Sequence, residues 1–167
     1  EGFPQADQRP FEYLHGIYFY NGKEFEFKDF TVKDFTKAEE EKIFKELIKF
    51  LEKHFDKYPK AYLYHYNDYE KRALRELASD YSATFIKGNN FVDKLLRLEK
   101  FVDLYRVVSQ CMQTSEKNLS LKSIEKFYRD ERSADIKTAD DSIRLFESWL
   151  ATKNDKNLKD VIAYNEE

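Results

Sequence analysis

An α/β fold, with a mixed β-sheet flanked by helices and a helix-rich second half, is what this sequence predicts, and three observations carry it. The run Tyr13 to Tyr20 is strongly β-prone, Asn21-Gly22 supplies a hairpin turn, and Glu24 to Lys28 alternates charge with Phe25 and Phe27. A long amphipathic helix, a strand and a second helix come next. Beyond Gly88 nearly every segment repeats its apolar residues at helical spacing.

At 167 residues and 41% apolar content, the chain can bury a sizeable core as one domain, residues 1–167, and is too short to expect two. It begins Glu1-Gly2-Phe3-Pro4, charged at once and without Met, as a piece cut from a longer protein would. No apolar run approaches membrane-spanning length, and no basic start with an apolar middle marks a signal peptide. The one cysteine, Cys111, permits no internal disulfide and excludes four-cysteine zinc sites, so a cytoplasmic protein follows most simply. With 29 basic against 32 acidic side chains there is no basic footprint, which counts against a plain phosphate-binding module. It counts less against an enzyme whose acids hold metal ions that themselves meet phosphates.

Taken in order, Pro4 to Pro10 reads as a loop, and the hairpin follows. Lys37 to Tyr58 is the clearest helix, with Ile43, Phe44, Leu47, Ile48, Phe50, Leu51 and Phe55 forming its apolar stripe. Thr36 is its N-cap, Glu39 completes a capping box, Glu39 to Glu41 are a solvated face, and Tyr58-Pro59 ends it.

Tyr62 to His65 then reads as a buried strand that turns at Asn67-Asp68 into a helix carrying Ala73, Leu74, Leu77 and Ala78, to about Tyr81. Asn67 and Glu70 therefore stand at the C-terminal end of a strand, where open α/β sheets collect ligands, and a carboxylate in the first helical turn is favoured by the helix dipole. The competing reading makes Asn67 or Asp68 an N-cap and Glu70 its capping partner.

In the second half Gly88-Asn89-Asn90 is a break, and Phe91 to Leu98 is a short helix or extended segment. Asp103, alone among apolar neighbours, either caps the helix carrying Val107 and Val108 or aims a carboxylate at a site. Ser120 caps a helix with Leu121, Ile124 and Tyr128 on one face. Thr138 to Leu150 buries Ile143, Phe146, Trp149 and Leu150, and Asn157 to Tyr164 closes the chain. Cys111 reads as core, His54 as solvated, and His65 as a hydrogen-bonded core residue.

Glu1-Gly2, Tyr13 to Ile17, Tyr64 to Glu70, Phe101 to Tyr105, Leu119 to Glu125, Trp149-Leu150 and Tyr164 to Glu167, in this order and spacing, resemble the RNase H-like exonuclease domain of the DEDD superfamily. Within it, the resemblance is to the nuclease domains of YprB-like and RecB-related proteins. It implies a two-metal site using Mg²⁺ or Mn²⁺, because two ions about 4 Å apart need several carboxylates converging from separate elements. By the resemblance, Glu1 and Glu70 are catalytic metal-binding carboxylates, Asn67 and Asp103 support them, and Tyr164 orients or helps deprotonate the attacking water. The Asp of the family's first motif and its final Asp fall outside residues 1–167, so this chain alone is expected to be inactive or nearly so.

The function expected is a metal-dependent 3′–5′ exonuclease acting on single-stranded DNA or RNA, with no membrane partner and with neighbouring nuclease or helicase domains in the same chain. The alternative is a non-catalytic module that binds nucleic acid or protein inside a larger nuclease or helicase protein. A third is a small α/β scaffold with no site.

Overall fold

The computed structural model describes residues 2–3, 9–128 and 139–166. It is α/β, with the elements falling into two compact units, Glu1–Phe44 with Arg132–Glu167 and Lys45–Glu131. Among the described residues no helix is long and apolar enough to cross a membrane. Most of the Pro4 to Pro10 loop, residue Glu1 and residue Glu167 lie outside the described residues, as does Thr138, the expected start of a helix.

In the first unit β1 (Gly2–Phe3) pairs antiparallel with β2 (Phe11–Glu12), and β3 (Leu14–Tyr20) pairs antiparallel with β4 (Phe25–Thr31). The hairpin is as expected. Asn21 organises its turn: its side-chain oxygen accepts from the N–H of Lys23 at 2.7 Å and of Glu24 at 3.0 Å, and Gly22 takes the positive φ of 109°. The helix α1 (Lys37–Lys57) starts here, with Thr36 Oγ1 accepting from Glu39 N–H at 3.3 Å. The capping box is only half made, because the Glu39 carboxylate accepts from Lys33 N–H at 3.1 Å instead. Near the end of the chain α6 (Ala139–Thr152) and α7 (Asp155–Glu166) pack together. Phe11, Tyr13, Phe44, Phe146 and Val161 are buried, and the Tyr13 ring stacks on Phe146 with centroids 4.1 Å apart.

The solvated face expected over Glu39 to Glu41 is wrong at its centre. Glu40 is fully buried. Its carboxylate accepts from both terminal nitrogens of Arg9, at 2.7 and 2.9 Å, from Glu12 N–H at 2.7 Å and from Lys37 Nζ at 3.2 Å. A buried charge with this many donors is compensated, which is the condition for its burial.

In the second unit, the remainder of α1 is followed by β5 (Leu63–His65), α2 (Tyr69–Asp80), α3 (Ile86–Arg97), β6 (Phe101–Asp103), α4 (Leu104–Cys111) and α5 (Leu121–Glu125). Leu47, Ile48, Leu51, Leu77, Val92 and Leu95 are buried, and α2 packs on α3. Three sequence readings are corrected. The break expected at Gly88-Asn89-Asn90 is absent: α3 runs through it, and Gly88 is present for close approach, since a Cβ there would stand 2.3 Å from the Phe85 ring. Phe101 to Asp103, left unassigned by the sequence, is a strand. Around β5 the chain is half exposed rather than buried, with Tyr62 49% and Tyr64 65% exposed. Cys111 is exposed rather than core.

Candidate functional site

The site is built on the parallel pair β5 and β6, in the register Leu63↔Phe101, Tyr64↔Val102 and His65↔Asp103. Lys100 secures the entrance to this pair: its carbonyl accepts from Leu63 N–H at 2.8 Å, and its ammonium donates to the carbonyls of Pro59 at 2.8 Å and Ala61 at 3.2 Å. Both strands run in the same direction, so His65 and Asp103 end them side by side. The C-terminal edge of parallel strands is where such sheets place their ligands.

From these ends the two strands depart differently. β6 passes straight into α4, and Asp103 is the N-cap: Oδ1 accepts from Tyr105 N–H at 2.9 Å. The same oxygen accepts from Asn67 N–H at 3.0 Å, while Oδ2 lies 3.7 Å from Arg106 Nε. Of the two readings open for Asp103, the structure shows the cap, and the same oxygen also ties down Asn67. β5 instead turns a corner at Asn67, whose φ of 69° is left-handed and unfavourable for all but Gly, Asn and Asp. Three bonds hold it there. Its N–H goes to Asp103, its side-chain oxygen accepts from Asp68 N–H at 2.9 Å, and its carbonyl accepts from His65 Nδ1.

Asp68 is the N-cap of α2 but makes no side-chain capping bond, so the simple capping box proposed for this turn is not formed. Glu70 follows in the first helical turn, exposed at the surface. Desolvation raises its carboxyl above the ordinary glutamate value, and its own backbone N–H and the nearby His65 pull the other way.

Aromatic side chains complete the corner. The His65 ring meets Phe101 edge-on at 6.1 Å, Tyr66 meets Tyr105 edge-on at 5.8 Å, and the Tyr66 hydroxyl donates to the Leu119 carbonyl. Burial, with Tyr105, Tyr128 and Asp103 nearby, pushes the Tyr66 hydroxyl up from its usual value.

The structure thus brings together Asn67, Glu70 and Asp103, and adds His65, which the sequence had assigned to the core. Tyr164 is buried on α7, in the other unit. Glu1 lies outside the described residues. Among the described residues no group of three His, Cys, Asp or Glu side chains is placed to hold a metal ion. Asp103 Oδ1 and Asn67 Oδ1 each accept backbone N–H groups. On the described residues alone, the donor set does not fit a pair of divalent ions.

The RNase_H_2 family model, described as RNase_H superfamily, matches residues 1–167. No curated protein and no solved structure gives a significant match.

Proposed function

The chain belongs to the RNase H superfamily, and from that premise we propose that it is a nuclease domain of a longer protein, of the DEDD, YprB-like and RecB-related kind. The reaction proposed is metal-dependent 3′–5′ exonucleolytic hydrolysis of single-stranded DNA or RNA. The observation that carries the reading is the corner at the end of the parallel pair: a left-handed Asn67, three residues before the exposed carboxylate of Glu70, is tied by its N–H to Asp103 on the neighbouring strand. A corner held this way sets where a carboxylate begins its helix, and fixed placement of charge is what phosphoryl transfer asks of a protein.

In this proposal Glu70 and Glu1 are the reactive carboxylates, named with Mg²⁺ or Mn²⁺ through the family resemblance. Asn67 and Asp103 hold the corner, and Tyr164 orients the attacking water. In the hydrolysis a water oxygen bonds to phosphorus and loses a proton to solvent, while the bond to the leaving sugar oxygen breaks and that oxygen takes up a proton from solvent. The single cysteine fits a cytoplasmic setting.

A second reading, a non-catalytic module binding nucleic acid or protein, is favoured by one observation: Asp103 Oδ1 already serves as both a helix cap and a strand tie. A titration of Mn²⁺ into the full-length protein, followed by thermal melting, separates the two. A ligand that binds the folded state raises the melting temperature by mass action. The nuclease reading expects a Mn²⁺-dependent rise that Glu70→Gln removes; no rise in either protein supports the binding module.

A further inference from the structure

His65 is bonded in a way that fixes its chemistry. A backbone carbonyl can only accept, so the ring nitrogen facing the Asn67 carbonyl, Nδ1, must carry the proton, and in the neutral ring Nε2 then holds the lone pair. The bond closes a small loop from the last residue of β5 to the residue that turns the corner. It acts at the point where the backbone is under strain, since Asn67 sits at a φ of 69°. Asp103 restrains the same residue from the opposite side, through its N–H. His65 and Asp103 are themselves register partners across the parallel pair.

We propose that His65 is a positioning residue of this site, whose Nδ1–H locks the Asn67 carbonyl so that the left-handed corner, and with it the start of the helix bearing Glu70, keeps one conformation. This rests on the nuclease reading of Glu70. The bond leaves Asn67 with both backbone polar groups occupied and no low-cost route out of the left-handed well. Without His65 the carbonyl is free to rotate toward water, and the corner can relax to an extended conformation that turns Glu70 away. A residue acting on a reactive carboxylate through its supports typically shifts activity by about 10- to 100-fold when lost.

Three substitutions separate this role from others. His65→Asn places an amide N–H where Nδ1 stands, and so keeps the bond. His65→Phe keeps the ring against Phe101 and removes the donor. His65→Gln places its amide near the position of Nε2 instead. The ring tautomer is read from nitrogen NMR shifts of the 167-residue chain at a pH where His65 is neutral, and the Asn67 φ from the coupling between its amide and α protons. Cleavage of end-labelled single strands is read in the full-length protein.

The expected result is an Nδ1–H tautomer in the wild type, a positive Asn67 φ retained in His65→Asn and lost in His65→Phe, and kcat reduced about 10- to 100-fold in His65→Phe and His65→Gln but not in His65→Asn. KM should move little. An Nε2–H tautomer, or an unchanged Asn67 φ in His65→Phe, would overturn the proposal. So would a His65→Gln protein as active as wild type beside an inactive His65→Asn, because Nε2 would then be the working atom. If the wild type cleaves nothing, the nuclease reading fails, while the tautomer and the Asn67 φ still decide whether the lock exists.

Discussion

The backbone N–H of Asn67 donates to Asp103 Oδ1 at 3.0 Å, joining the ends of two parallel strands through a carboxylate that also caps the helix beyond it. Two donors therefore depend on one oxygen. Asp103→Ala leaves both unpaired and is expected to lower stability by about 2 kcal/mol, whereas Asp103→Asn keeps an acceptor and should cost less than half of that. Urea unfolding checks this, with a shifted midpoint at unchanged slope.

Asn67 is left-handed, so its substitutions should sort by backbone rather than by polarity. Asn67→Gly exchanges the bond to Asp68 N–H for an unstrained conformation and should fall within about 1 kcal/mol of wild type. Asn67→Val, β-branched at positive φ, should cost about 2 kcal/mol or more. Thermal melting of the two variants ranks them, and equal costs would contradict the conformational account.

The Arg9–Glu40 pair is buried, with side chains 10% and 0% exposed. Glu40→Ala removes the acceptor of Arg9, Lys37 and the buried Glu12 N–H at once, and is expected to cost about 3–5 kcal/mol. Replacing both by apolar residues, Arg9→Met with Glu40→Leu, should recover only part of that loss: the buried ion pair is gone, but Glu12 N–H still lacks its acceptor. A double-mutant cycle by denaturant unfolding measures the coupling.

His15 Nε2 is buried without a hydrogen-bond partner among the described residues, and burial pushes the pKa of the ring down to about 3. The unfolded chain binds a proton near the ordinary histidine value of 6.5 and the folded chain does not. Stability from this group is therefore complete above that value and declines as pH falls from there toward 3. The residue is partly exposed overall, so a loss of about 1–2 kcal/mol by about pH 5 is the expected size. The difference in unfolding free energy between wild type and His15→Leu, followed across this range, should slope accordingly; a flat difference would refute it.

How much of this was legible in the sequence depends on what kind of signal each residue left. The helical period of α1 and the hairpin turn at Asn21-Gly22 are local, and both elements stand where the spacing put them. The cap at Asp103 was readable, but not that the same oxygen also holds Asn67, because that partner is far off in the chain. β6 is three residues long and merges into a helix, leaving no alternation to detect. Gly88 misled because glycine marks breaks and close approaches alike, and the Phe85 ring that decides between them is a matter of packing. Glu40 did carry a signal: it precedes Ile43, Phe44 and Leu47 by three, four and seven positions, which sets it on the buried stripe rather than the solvated face. His65 left none, since its partner is a backbone carbonyl.

The most direct test of the nuclease account is cleavage of end-labelled single strands by the full-length protein in Mn²⁺, with wild type beside Glu70→Gln. The account expects stepwise shortening from the 3′ end by the wild type, reduced at least about 100-fold by a substitution that removes only the carboxylate's charge. Equal cleavage by both proteins would remove Glu70 from the chemistry, and no cleavage by either would leave a superfamily member that binds without cutting.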